Sequence, residues 1–291
     1  MIRVLQPGDE TLLEAFLAPK IVSSMFLVGN MRAAGLVDNG RRYEGTYAAR
    51  FDKEHITGVA ALFWNGSLVT QSPVEQLDGL WQTAVSAAQR PITRLIGPQE
   101  QVQAVLDQSH ISQAAIKLDE PEKLYSLNLA DLQLPPKLES GEWWGRLVQF
   151  EDVELMTHWR VGYALEVLGE TESPELWQQM RAGVQKYLRE QKSWILEADG
   201  QPVSTSSFNA ATAELVQVGG VWTPPELRSR GYGRAAVAAS LLAVRDKGVQ
   251  TAILFTGIEN IPAQKSYEAL GFRHIGDYRI TLLKEPYSVP M

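Results

Sequence analysis

The sequence predicts a mixed α/β protein in which one arrangement around a central sheet is built twice in tandem. Three observations carry this expectation. Apolar spacing switches repeatedly between helical and strand periods. A proline-rich stretch divides the chain near its middle, and the order of elements before it recurs after it. At about 150 residues per domain, the 291 residues suggest two domains. Hydrophobic residues at 45% and charged residues at 21% fit packed rather than disordered chains. The divide is Leu132 to Glu142, LQLPPKLESGE. Pro135 and Pro136 can neither continue a helix nor donate to a sheet ladder. The expected domains are therefore 1–134 and 141–291.

In the first half, Asp9 is expected to cap a helix to Leu17, and a second apolar-periodic helix runs from Ser23 to Leu36, closed by Gly35. Strands follow at Gly45 to Phe51, His55 to Trp64 and Ser67 to Gln71, the last two joined by the hairpin signal Asn65-Gly66. Pro73 is expected to open a helix reaching about Gln89. Ile92 to Ile96 reads as a strand, Pro98 to Gln108 as a helix and Lys123 to Leu129 as a strand. The second half repeats this order. Arg146 to Phe150 is a strand, Asp152 caps a helix to about Leu168, and Pro174 opens another to Glu190. Trp194 to Glu197 and Val203 to Phe208 flank the Asp199-Gly200 turn. Leu215 to Trp222 is a strand, and Gly231 to Asp246 a helix ended by Gly248. Thr251 to Thr256 is a buried strand, Ile261 to Leu270 a helix stopped by Gly271, and Phe272 to Leu283 strand material. The shared order suggests internal duplication with little residue identity.

Composition narrows the chemistry. The absence of cysteine excludes disulfides, Cys-ligated zinc, iron–sulfur clusters and a Cys nucleophile, and is compatible with a cytoplasmic location. The four histidines, His55, His110, His158 and His274, show no metal spacing, so no metal is expected. A net charge of −7 argues against nucleic acid as a partner. The longest nearly apolar run, Ala235 to Val244, has ten residues. That is short of the roughly 17–25 that span a bilayer, and the N-terminus lacks a signal-like apolar region, so no membrane partner is expected.

The informative segment is Val218 to Ala235, VGGVWTPPELRSRGYGRA. A strand ends at Trp222 and a helix opens at Arg230-Gly231-Tyr232-Gly233. The first N–H groups of a helix lack internal partners, and with the helix dipole they favour an anion by about 0.3–2 kcal/mol. Arg228, Arg230 and Arg234 surround this point, which implies a polyanion such as a phosphate ligand. No Gly-Lys-Ser/Thr follows, so this is not a P-loop, and the glycine spacing does not match a dinucleotide fingerprint. A second segment, Asn260 to Phe272, reads NIPAQKSYEALGF.

Together these segments resemble the GNAT superfamily of acyl-CoA-dependent N-acetyltransferases. One signature is Arg228-x-x-Gly231-x-Gly233; the other is Asn260, Ala263, Tyr267 and Gly271-Phe272. The resemblance covers 141–291, and in the first half only the element order. It implies two tandem GNAT-like acyl-CoA N-acyltransferase folds and acetyl-CoA as co-substrate. The coenzyme's diphosphate would sit on Arg228, Ser229, Arg230, Gly231, Tyr232, Gly233 and Arg234. Its pantetheine arm would pair with Val221, Trp222 and Thr223, entering through a gap between strands that Gly219-Gly220 and Pro224-Pro225 suit. Tyr267 would face the departing sulfur as a thiolate stabiliser and general acid. Asn260 would cap its helix, lie near the coenzyme arm, or both.

An amine near pKa 10 must lose a proton before it attacks a thioester. Several members of the family place a Glu four residues before the Val221 position; Gln217 stands there. Candidates for this proton are Glu166, although a solvated helix carboxylate is the favoured reading of it, and water relayed by Gln217 or the hydroxyls of Ser204 to Ser207. His158, Trp143, Trp144, Trp159 and Tyr163 are weaker candidates for an acceptor wall. In the first half, Ser72 to Asp78 lacks arginines and paired glycines and carries acids. That half is expected not to bind CoA and instead to complete the acceptor pocket or mediate homodimerisation. The expected activity is direct acetyl transfer to the amine of a small molecule or peptide. The alternative is a non-catalytic acyl-CoA sensor or interaction module.

Overall fold

The computed structural model of the chain describes residues 1–288. Its elements in order are β1 (Ile2–Val4), α1 (Glu10–Leu17), α2 (Ile21–Ala34), β2 (Gly45–Asp52), β3 (His55–Phe63), β4 (Ser67–Gln71), α3 (Leu80–Ala88), β5 (Ile92–Pro98), α4 (Gln99–Ser109) and β6 (Ile116–Asn128). A short helix α5 (Pro136–Glu139) leads to β7 (Trp143–Leu147), α6 (Val153–Val167), α7 (Pro174–Arg189), β8 (Ser193–Ala198), β9 (Gln201–Ala211), β10 (Leu215–Trp222), α8 (Tyr232–Arg245), β11 (Thr251–Gly257), α9 (Ile261–Glu268) and β12 (Arg273–Tyr287). The sequence β-α-α-β-β-β-α-β-α-β thus occurs twice, once from β1 to β6 and once from β7 to β12.

Two compact units result, divided differently from the expected 1–134 and 141–291. The first comprises Met1–Leu124 and the chain from Ile275 onward; the second is Tyr125–His274. The Pro135–Pro136 stretch therefore lies inside the second unit, where it heads α5. The division falls inside β6 and β12, two long strands that composition alone gave no reason to cut.

In the first unit the sheet runs β1-β2-β3-β4-β5-β12-β6, with β12 antiparallel to β5 from Tyr278 opposite Pro98 to Leu282 opposite Arg94. One face packs on α1 and α2 through Leu13, Leu17, Leu27, Val28 and Met31, and the other on α3 and α4 through Leu80, Trp81, Val102 and Val105. By length and hydropathy the stretch Glu10–Ala34 is long and apolar enough to cross a bilayer, although no single apolar run within it is. In the fold it is broken by a 3-10 turn at Ala18–Lys20 containing Pro19. In the second unit the order is β6-β11-β10-β9-β8-β7. Val216, Val218, Phe208 and Leu254 meet Val237, Ala238 and Leu241 of α8, while Ile195 and Trp222 meet Met156 and Trp159 of α6.

Each run of the repeated element order opens with the same ionic clamp. Arg3 donates to both carboxylate oxygens of Asp9 at 2.6 and 2.8 Å, and the Gln6 amide donates to Asp9 at 2.9 Å. Arg146 does the same to Asp152 at 2.5 and 2.9 Å, with the Gln149 amide at 2.7 Å and Glu197 accepting from Arg146 Nε at 2.6 Å. Both clamps read Arg-x-x-Gln-x-x-Asp, a short stretch of residue identity between the halves. The clamp also corrects the expected caps. Asp9 and Asp152 stand at the helix starts, but neither side chain makes a cap bond into its helix, because their oxygens face the arginine and the preceding loop.

Candidate functional site

The site grows out of the end of β10. β10 and β11 are parallel neighbours, paired from Leu215 opposite Thr251 to Val218 opposite Leu254. β10 continues to Trp222 and β11 to Gly257 beyond the last registered pair, so the strands part at their C-terminal ends. On its other side β10 shifts register against β9 between Gly219 and Trp222. Gly220 sits in that shift at φ +59°, in the left-handed region that favours glycine. The paired glycines thus form the bulge expected of them.

After β10 the chain turns through Pro224 and a 3-10 turn at Pro225–Leu227 into α8. Gly231 precedes the helix at φ +83°, and no side chain caps it. The first-turn N–H groups therefore have no side-chain acceptor. Gly233 lets this turn approach β10: a Cβ there would lie 3.3 Å from Thr223 Oγ1. Across the gap, Asn260 Oδ1 accepts from the Ala263 amide at 3.2 Å and so caps α9. On α9, Pro262, Ala263, Ser266 and Tyr267 share one face, and the Tyr267 ring stands edge-on to Phe272 with centroids 6.0 Å apart.

These elements enclose a cavity of about 530 Å³ within the second unit. Most residues expected to hold coenzyme line it: Val221, Trp222, Thr223, Arg228, Ser229, Gly231, Tyr232, Gly233, Arg234, Asn260, Ala263 and Tyr267. Arg230 is not among the lining residues; its Nη2 lies 3.5 Å from the Glu226 carbonyl. The carbonyls of Trp222 and Thr223 are already engaged, by Ser204 Oγ at 2.9 Å and Arg228 Nε at 3.0 Å. Arg234 Nε is buried with no hydrogen-bond partner among the described residues.

The candidates for proton removal fare differently. Glu166 lines the cavity, but both its oxygens accept from Arg228, at 2.8 and 2.9 Å. Gln217 is 5% exposed, lies outside the cavity lining, and keeps a buried Oε1 with no partner among the described residues. The serines are structural: Ser204 bonds the Trp222 carbonyl, Ser206 meets Ser240 and Ser207 meets Ser193, all buried. Trp143 and Trp159 belong to the core, Trp144 is exposed, and His158 bonds the Glu154 carbonyl beside Trp177. Tyr163 packs edge-on to Trp222. Among the described residues no group of His, Asp and Glu is arranged to hold a metal. Leu227, Val167 and Ser266 also line the cavity and were not anticipated. For Ser266 the signal was available, since the helical period that faces Ala263 and Tyr267 inward carries Ser266 with them.

At the corresponding place in the first unit the end of β4 is engaged by side chains of that unit, and beside it a cavity of about 700 Å³ opens, lined by Ser23, Pro98, Gln99, Glu100 and Tyr278. β4 and β5 are parallel and paired from Ser67 to Val69. Beyond that, Gln71 Oε1 accepts from Ser23 and Ser24 at 2.9 and 2.8 Å, and the Ser72 amide donates to buried Gln101 at 3.1 Å. The expected helix from Pro73 starts only at Leu80. Pro73 instead precedes a 3-10 turn, and Gly79, in the left-handed region, sets the helix start. Arg50 donates to the carbonyls of Gln76 and Asp78 in the same loop.

Comparison with known proteins agrees with this geometry. Residues 154–272 match the model of the acetyltransferase (GNAT) family. The second unit is a GNAT-family domain. A mycothiol acetyltransferase from Cellulomonas flavigena is 33% identical over 101 residues, a match spanning 29% of this chain and 29% of that protein. A Drosophila protein of solved structure has the same fold over 97% of this chain and 98% of its own, at 15% identity and a TM-score of 0.67. A tandem GNAT protein from the clavulanic acid biosynthesis pathway aligns over 99% of this chain and 100% of its own, at 13% identity and a TM-score of 0.53. The GNAT fold is therefore present twice.

Proposed function

We propose that the chain is an acetyl-CoA-dependent N-acetyltransferase whose GNAT domain carries the chemistry and whose first unit binds no coenzyme. The observation behind this reading is a convergence on one cavity. An uncapped helix start, an unpartnered arginine donor, a parting of two parallel strands and the Tyr267 ring all open into it. The residues present fit the coenzyme. The first-turn amides of α8 and Arg234 suit a diphosphate, and the end of β10 suits an amide-bearing arm. Acetyl-CoA supplies the activated thioester. The protein's part is to anchor the two anionic and amide-bearing segments, and to present Tyr267 where the sulfur departs.

The amine's proton leaves to water in this account or, where the coenzyme has displaced Glu166 from Arg228, to that carboxylate, which lines the cavity; Gln217 is an amide outside it. The likeness to the mycothiol acetyltransferase supports a small-molecule amine as acceptor over a peptide. Calorimetry with acetyl-CoA and a thiol-release assay across a panel of amines test the reading. One coenzyme bound per chain and turnover on at least one amine are expected. Two coenzymes per chain would show that the first unit also binds. Tight binding without turnover would make the protein a sensor of acyl-CoA. Arg234→Ala should weaken acetyl-CoA binding by roughly 10–100-fold, the worth of a charge-assisted hydrogen bond to phosphate.

A further inference from the structure

Arg228 heads the phosphate-type run, yet three of its five N–H donors are already engaged. Nη1 and Nη2 donate to the two oxygens of Glu166 at 2.8 and 2.9 Å, Nε donates to the Thr223 carbonyl at 3.0 Å, and the guanidinium lies 4.8 Å from the Trp222 ring centroid. Glu166 stands in the last turn of α6, and both partners line the coenzyme cavity at its solvent side, with side-chain exposures of 39% and 47%. The pair therefore ties the end of α6 to the loop that enters α8. Beyond it the chain is exposed from Gly169, at φ +62°, to Glu172.

We propose that the Glu166–Arg228 pair is a latch on the coenzyme cleft: the carboxylate holds Arg228 in the free protein, and an incoming diphosphate takes its place. The proposal rests on the coenzyme reading of this cavity. Its chemistry is an exchange of anions on one guanidinium. A planar fork that accepts a bidentate carboxylate accepts a phosphate with the same donors. An ion pair this exposed is held weakly, so a more highly charged anion displaces it. While the pair is closed, Arg234 and the α8 amides are the donors open to the ligand. Glu166 is thus a positioning residue, acting on the coenzyme through Arg228.

Glu166→Gln removes the competing charge at nearly constant size. Calorimetry with coenzyme A should show binding tightened by about 3–10-fold, matched by a lower KM for acetyl-CoA. The gain should vanish in the Glu166→Gln, Arg228→Gln double variant. Unchanged affinity with a fall in kcat would overturn the latch and assign Glu166 to the acceptor. Weakened affinity would overturn it too, since the pair would then orient Arg228 for the ligand. If the wild type binds no coenzyme A, the functional reading fails on its own. The latch is then read by amide hydrogen exchange, with residues 164–173 and 223–230 expected to exchange faster in Glu166→Gln. Equal exchange in that segment would dismiss it.

Discussion

Tyr267→Phe should lower the turnover number by about 10²–10⁴-fold, with acetyl-CoA affinity close to that of the wild type. The substitution removes one oxygen and leaves a ring that keeps its edge-on packing against Phe272. Tyr267 lies on the cavity face of α9, beside Ala263 and across the strand gap from Val221. What the hydroxyl offers is bounded by simple values. A free phenol near pKa 10 and a thiol near 8.5 make full proton donation uphill by about 2 kcal/mol. A hydrogen bond that steadies charge growing on sulfur avoids that cost, and it forms fully only as the bond to sulfur breaks. Such an interaction affects kcat more than KM. Steady-state kinetics of the variant, with single-turnover measurements to confirm that chemistry limits the rate, decide the matter. An unchanged kcat under those conditions would remove Tyr267 from the mechanism.

Arg146→Ala should destabilise the GNAT domain by about 3–5 kcal/mol, since it strands two largely buried carboxylates. Arg146 is 19% exposed in its side chain, Asp152 is 7% and Glu197 is 12%. Burial by itself would raise the Asp152 carboxyl. The hydrogen bonds from Arg146 and the Gln149 amide outweigh it and hold the group below its ordinary value. The sign follows directly. An acid with a depressed pKa in the fold contributes stability above its unfolded value, near 3.9, and loses it as pH falls through the folded value. Wild-type stability should thus erode below about pH 4, and the variant should show less of that erosion. The twin clamp in the first unit is a built-in control. Arg3 is 37% exposed, so Arg3→Ala should cost only about 1 kcal/mol. Urea unfolding followed separately for the two units measures both, and equal costs would contradict the burial argument.

Much of this architecture is legible in the sequence. β4 and β10 fall where alternating apolar residues and turn signals put them, and α7 begins at Pro174 with Ser173 capping the Leu176 amide. The candidate cavity is legible for the same reason: Gly231, Gly233 and Arg234 stand at one helix start, within a few residues of each other. What escaped depended on partners distant along the chain. Glu166 meets Arg228 across 62 positions, which no local spacing encodes. Ser204 to Ser207 read as candidate hydroxyls, yet each faces a sheet or helix neighbour that only the fold supplies. Proline favours the first turn and so predicts a helix from Pro73, whereas the left-handed Gly79 six residues later sets the helix start.

The way strands are shared between the chain's ends bears on how the protein is made. β5 in the first unit finds its antiparallel neighbour in β12, so residues 1–124 leave the ribosome with one sheet position still vacant. The second unit, contained in Tyr125–His274, can close earlier, although it begins later. Maturation should therefore run against the order of translation, and a chaperone that shields the waiting edge of β5 would act before the final strand arrives.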